Sequence, residues 1–207
     1  MGTIHRVSEQ FEIEVLKESS ERFEQIRRIC VQDPQNRLAE NYKSDRLVIE
    51  EHDLFMVIWD RTNQQPVSFS GIYNGGRYPG EVARFANRSY VFPNYRAVGN
   101  ARTSRPWVYA MMLPLQEELN PFGRKLGFIS VGERLGKSGP KVNVLERNPP
   151  PGWRGSPDLV RVCNGKVYDC VQRVLYKELL PGYTFDDWPA ERMDTETWLR
   201  RVREEAD

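Results

Sequence analysis

Residues 81–107, EVARFANRSYVFPNYRAVGNARTSRPW, restrict the fold of this chain more than any other stretch. Arg84, Phe85, Ser89, Tyr90, Val91 and Phe92 read as an extended segment rich in β-branched and aromatic residues. Pro93 stops it, because proline cannot donate to a sheet ladder. A glycine-containing turn and then an apolar helix follow. Such a junction aims unpaired backbone N–H groups and the positive end of a helix dipole at one place, which suits a phosphate. Across Arg77 to Trp107 the charges are Arg77, Arg84, Arg88, Arg96, Arg102 and Arg105 against Glu81 alone. An anionic ligand is the simplest use for so cationic a segment.

That concentration stands out because the whole chain, 207 residues long, carries a net charge of only +1. A general nucleic-acid coat or a membrane-surface protein needs an excess of Lys and Arg over its whole surface, so electrostatic recognition here is expected to be local and nucleic acid is not the expected partner. The length fits one full domain with a tail, set at 1–182 and 183–207. Cys30, Cys163 and Cys170 are an odd number without zinc-site spacing and read as reduced core thiols. No apolar run follows Met1 and no stretch approaches a membrane span, so a soluble, cytoplasmic protein is expected.

Residues 11–17, FEIEVLK, alternate as a half-buried strand does. Ser19 or Ser20 can cap a helix in which Phe23, Ile26 and Cys30 share a face. Asp33-Pro34 reads as the start of a second short helix with Leu38 and Tyr42 buried. LFMVIWD at 54–60 and PVSFSGIY at 66–73 read as an antiparallel hairpin. Val108, Met111, Met112, Leu115 and Leu119 fall on one side of a helix; Pro114 is expected to kink or end it, at a disadvantage of about 3 kcal/mol, and Pro106 to delay its start. Residues 127–131 read as a strand, and DLVRVCNGKVYDCVQRVLYKEL as two strands about a tight turn at Asn164-Gly165. A charged helix with Trp198, Leu199 and Val202 as anchors is expected from Asp194 onward.

This element order resembles that of the GNAT acetyltransferase superfamily, and the resemblance becomes specific at VFPNYRAVGNA, where Val91, Pro93, Tyr95, Arg96, Gly99 and Ala101 fall in step with the family's signature. The resemblance implies an α+β fold, a mixed and mostly antiparallel central sheet with helices on both faces, with the charged C-terminal helix added. It implies acetyl-coenzyme A as co-substrate, with Arg96, Ala97, Val98, Gly99, Asn100 and Ala101 as the pyrophosphate loop and Tyr90, Val91 and Phe92 lining the pantetheine arm. Glycine permits close approach of backbone to phosphate, and successive N–H groups form an anion nest, so the physical reading agrees. The implied activity is transfer of an acetyl group to a primary amine, borne by a small molecule or a protein. The acidic residue that many members carry in the motif strand would fall near Arg88, which cannot act as a base. That departure favours a second expectation, a catalytically inactive binding or regulatory module.

Glu81, at the start of the motif strand, and Glu133, beyond the next, are the candidates for a general base; an ordinary surface carboxylate is the competing reading for each. Tyr73, Tyr109 and Tyr168 are candidates for protonating a thiolate, against a core or rim role. GERLGKSG, from Gly132, has one residue too few between its glycines for a nucleotide-binding phosphate loop. His5 and His52 are far apart and lack partners at ligand spacing, so no metal is expected, and His52 between Glu51 and Asp53 reads as a surface loop residue.

Overall fold

The computed structural model describes residues 2–36, 39–96, 101–131, 144–163 and 169–204. The chain divides into two compact units, Met1–Gly75 with Phe85–Phe122, and Gly76–Arg84 with Gly123–Asp207.

The first unit opens with β1 (Thr3–Arg6) and β2 (Phe11–Leu16), followed by α1 (Glu21–Gln32), 3-10 turns at Ala39–Tyr42 and Ile49–Glu51, and β3 (His52–Asp60). Next come β4 (Gln65–Tyr73), the larger part of β5 (Val82–Val91), a 3-10 turn at Pro93–Tyr95 and α2 (Ala101–Leu119). β1–β2, β2–β3 and β3–β4 are antiparallel, with Thr3 opposite Val15, Ile13 opposite Ile58 and Val57 opposite Phe69. The expected hairpin is β3–β4.

The two-residue period of a strand sorts this sheet into two buried faces. On one, Phe55, Val57 and Trp59 of β3, Phe69 of β4 and Tyr90 of β5 join Phe23, Ile26 and Cys30 of α1 in a single core cluster. Each fully buried aromatic or branched side chain there stabilises the fold by about 1.5–3 kcal/mol. Ser20 begins α1 as expected, its hydroxyl accepting the Phe23 N–H at 3.2 Å. On the other face α2 packs through Met112 and Gln116, whose side chains meet Ser70 at 3.4 and 3.0 Å. Helices therefore cover both faces.

α2 runs unbroken through Pro106 and Pro114, contrary to expectation. Pro114 and Ala110, whose carbonyl loses its helical donor, are both exposed, which lowers the cost of the lost bond. Val108, Tyr109, Met112 and Leu113 hold the helix to the core on its other side.

In the second unit the first residues of β5 pair in parallel with β6 (Leu126–Ser130), Val82 opposite Leu126 and Arg84 opposite Phe128. After α3 (Val144–Arg147) come β7 (Arg154–Gly155), β8 (Leu159–Cys163), β9 (Asp169–Gln172), β10 (Val174–Glu178), β11 (Arg192–Met193) and α4 (Thr195–Glu204). β10 pairs antiparallel with both β6 and β7, while β11, β8 and β9 form a separate small sheet. Phe128 stacks on Trp188 at 4.7 Å and Tyr176 on Phe185 at 4.1 Å in this unit's core. Asp194 caps α4, accepting from the Thr197 N–H at 2.8 Å and hydroxyl at 2.6 Å.

The last expected hairpin is thus two structures. Its second run breaks at Arg173, β9 remaining with β8 and β10 joining β6. The register also differs: Cys163 pairs with Asp169, leaving five residues between them, where a two-residue turn at Asn164-Gly165 would pair Cys163 with Lys166. Asn164 to Tyr168 themselves lie outside the described residues. Among the described residues the ladder order β1-β2-β3-β4-β5-β6-β10-β7 makes an eight-stranded mixed sheet, mostly antiparallel, and the fold class is the expected α+β.

Candidate functional site

The expected cofactor-binding residues begin in the last turns of β5. Tyr90, Val91 and Phe92 are 5%, 9% and 4% exposed. The Tyr90 ring packs on Phe69 at 5.7 Å, and its hydroxyl donates to Asp33 Oδ2 at 2.8 Å. The Phe92 N–H donates to the Val67 carbonyl at 3.0 Å, after which Pro93–Tyr95 turns the chain out of the sheet. Tyr95 donates its hydroxyl to Asp60 Oδ2 at 3.0 Å. Asp60, 1% exposed, also accepts from Gln10 and from the backbone N–H groups of Thr62 and Asn63. Burial works to raise the Asp60 pKa, and these hydrogen bonds outweigh it and hold the carboxyl below its ordinary value.

All three guanidinium nitrogens of Arg96 are engaged within the first unit. Nε donates to the Val91 carbonyl at 2.9 Å, Nη1 lies 3.4 Å from Gln35 Oε1, and Nη2 forms an ion pair with Asp33. The guanidinium carbon sits 5.0 Å from the Tyr90 ring centre, in cation–π contact. Asp33 is the node of this cluster. It follows the last residue of α1, and its Oδ1 accepts the Gln35 N–H at 3.0 Å. Burial raises the Asp33 pKa, and the bonds from Arg96, Tyr90 and Gln35 more than offset that, leaving it lowered. The expected helix start at Asp33-Pro34 is therefore corrected: Asp33 ends α1, and the next helical turn begins at Ala39. Tyr42 in that turn is buried as expected, donating to the Ser89 carbonyl at 2.8 Å; Leu38 lies outside the described residues.

Ala97, Val98, Gly99 and Asn100 also lie outside the described residues, and Ala101 is the first residue of α2. Glu81 immediately precedes β5 in the second unit, its carbonyl accepting the N–H groups of Lys125 at 2.8 Å and Leu126 at 3.0 Å. Glu133 and Tyr168 are outside the described residues. Tyr73 and Tyr109 are buried.

Midway along β5, Ala86 and Arg88 both adopt left-handed backbone angles, φ 50° and 54°. Between them Asn87, 4% exposed, donates from Nδ2 to His52 Nε2 at 3.0 Å. His52 Nδ1 donates to the Val48 carbonyl at 2.8 Å, which fixes the neutral tautomer. The ring lies against Phe55 and Tyr73, with centroid separations of 5.0 and 5.3 Å. Burial pushes the His52 pKa down to about 4. His52 is thus not a surface loop residue: the 3-10 turn before it and the first step of β3 direct its ring inward. Gln116, fully buried, reaches the same kink from α2, its Oε1 accepting the Ala86 N–H at 3.3 Å. This network fixes the bend of β5, and with the Nδ1 proton given to Val48 and the Nε2 lone pair held by Asn87, His52 has no free lone pair with which to act as a base.

A groove of about 390 Å³ lies along α1 and the turn after it, lined by Arg27, Arg28, Val31, Tyr42, Lys43 and Asp45 among others. Its charge is mixed, and Arg27 is committed to an ion pair with Glu24 and to the Leu47 carbonyl at 2.6 Å. Among the described residues no group of three His, Cys, Asp or Glu side chains is placed to hold a metal ion, and no helix is long and apolar enough to cross a membrane.

No protein-family model matches this chain, and no curated protein matches it. Among solved structures, a ribosomal-protein-S5-alanine acetyltransferase from Vibrio fischeri is similar at 13% identity and a TM-score of 0.46, over 88% of this chain and 100% of that one. A spermidine/spermine N-acetyltransferase from Vibrio cholerae, in complex with manganese ions, is similar at 13% identity and a TM-score of 0.45, over 82% of this chain and 93% of that one.

Proposed function

We propose that the chain is an acyl-coenzyme A-dependent N-acyltransferase that moves an acetyl group from acetyl-coenzyme A to a primary amine. The observation that carries this reading is the junction of β5, the Pro93–Tyr95 turn and α2. The signature VFPNYRAVGNA begins at the last residue of the strand and ends at the first residue of the helix, and a strand-to-helix junction of glycine-containing sequence suits an anion. In this reading Arg96 to Ala101 cradle the pyrophosphate and the Tyr90–Phe92 segment runs beside the pantetheine. The neutral amine attacks the thioester carbonyl directly. A C–N bond forms, the C–S bond breaks, the amine proton passes to water or to a carboxylate such as Glu81 or Glu133, and the thiolate leaves with the coenzyme. The acceptor is a small amine or an amine on a protein, and the setting is cytoplasmic.

A second reading, a catalytically inactive GNAT-like binding or regulatory module, is favoured by Arg88, which stands near the place of the family's acid, and by the neutral, hydrogen-bonded His52 beside it. Calorimetry with acetyl-coenzyme A followed by a transfer assay over an amine panel separates the two. Binding with turnover supports the transferase, and binding without turnover supports the module. No heat at high micromolar coenzyme rejects the transferase.

A further inference from the structure

The cation expected to meet the phosphates is already spoken for. Arg96 spends Nε on Val91, Nη1 on Gln35 and Nη2 on Asp33, and its plane lies over Tyr90. Its side chain is 16% exposed and that of Asp33 5%. Asp33 in turn takes hydrogen bonds from Arg96, Tyr90 and the Gln35 backbone, so both partners are satisfied without any ligand. The contacts join points far apart in sequence: the end of α1, the end of β5 and the turn that leaves it.

Resting on the coenzyme reading above, we infer that Asp33 is a positioning residue for coenzyme binding: it clamps Arg96 against Tyr90 and so fixes the direction in which the backbone leaves β5 at Arg96. Arg96 then acts through where it places the main chain, and its guanidinium is not a phosphate ligand. A buried pair of this kind suits the task, because removing one partner leaves the other charged and uncompensated, which makes a single geometry strongly preferred. Backbone N–H groups that bind a phosphate are useful only when their directions are set in advance.

The two roles open to Arg96 predict opposite signs for one substitution. If its guanidinium bound phosphate in competition with Asp33, Asp33→Asn would release the cation and tighten acetyl-coenzyme A binding. If Asp33 positions the turn, Asp33→Asn weakens binding about tenfold or more, and Tyr90→Phe, which removes one bond to Asp33 and no charge, weakens it by about threefold. Ser20→Ala, which loosens the start of α1, serves as the control for a general loss of stability and leaves the dissociation constant unchanged. Calorimetry on the full chain, well below each variant's unfolding temperature, reads these values. Affinity that is unchanged or tighter in Asp33→Asn overturns the inference. Hydrogen exchange supplies a readout without coenzyme: both variants speed exchange at the hydrogen-bonded amides of Tyr95 and Arg96 by about tenfold relative to the wild type, while β3 and β4 keep their protection. If the wild type binds no coenzyme, the transferase reading fails and the exchange measurement still decides the clamp, with unchanged rates at the Tyr95 and Arg96 amides rejecting it.

Discussion

The side-chain oxygen of Gln116 accepts the backbone N–H of Ala86 at 3.3 Å, tying the middle of α2 to the residue at which β5 turns left-handed. The amide nitrogen of the same side chain donates to Ser70 Oγ at 3.0 Å, so one fully buried carboxamide serves two strands. Gln116→Leu keeps the volume and strands both groups. It is expected to lower the unfolding free energy by about 1–3 kcal/mol, read from urea denaturation with an unchanged m-value.

His52 gives the protein a pH dependence of definite sign. Its pKa falls from an ordinary 6.5 to about 4 on folding, so between those values the unfolded chain binds the extra proton. The contribution is fully present above about pH 6.5 and is lost as the pH drops toward 4, a change of about 3 kcal/mol in all. His52→Gln should flatten that part of the stability–pH curve. An equally steep curve in the variant would assign the slope to other groups.

Gly71 lies where β4 passes His52. A Cβ added there would meet His52 Cδ2 and the Leu54 carbonyl oxygen, each at 2.7 Å, and the second is backbone that cannot step aside. Gly71→Ala should destabilise by about 1–3 kcal/mol and shift the His52 ring resonances in NMR spectra.

Asp60 works in the acid range. With its carboxyl held below the ordinary value, the stability it supplies is complete above about pH 4 and fades as the pH falls through the folded-state pKa. Asp60→Ala is expected to cost about 2 kcal/mol at pH 7, and the gap between variant and wild type should narrow steadily on acidification. Thermal unfolding at several pH values measures both quantities.

What could be read from the sequence was local. The alternation in 11–17, the apolar runs at 54–60 and 66–73, the Ser20 cap and the Pro93 stop each act within a few residues, and each produced the element expected. The partners of Asp33 are 57 and 63 residues away, and nothing near it announces them. The dipeptide Asp-Pro looks the same whether it opens a helix or closes one. His52 misled for a related reason: Glu51 and Asp53 made the segment look exposed, while the ring is drawn inward by Val48, Asn87 and the aromatic pair Phe55 and Tyr73. The split between β9 and β10 carries no glycine or proline to mark it. Of the candidate site, the strand end and helix start were legible, and the clamp on Arg96 was not.

α1 runs for twelve residues from its Ser20 cap to Asp33, and both ends are occupied, the first by the cap and the second by the ion pair. The helix is therefore a ruler. One residue inserted between Phe23 and Cys30 would carry the carboxylate about 1.5 Å along the axis and swing it by about 100°, out of reach of both Tyr90 and Arg96. Substitutions on the outer face of α1 leave that measure intact, whereas a change in its length, even by a single alanine, is felt at the far end of β5.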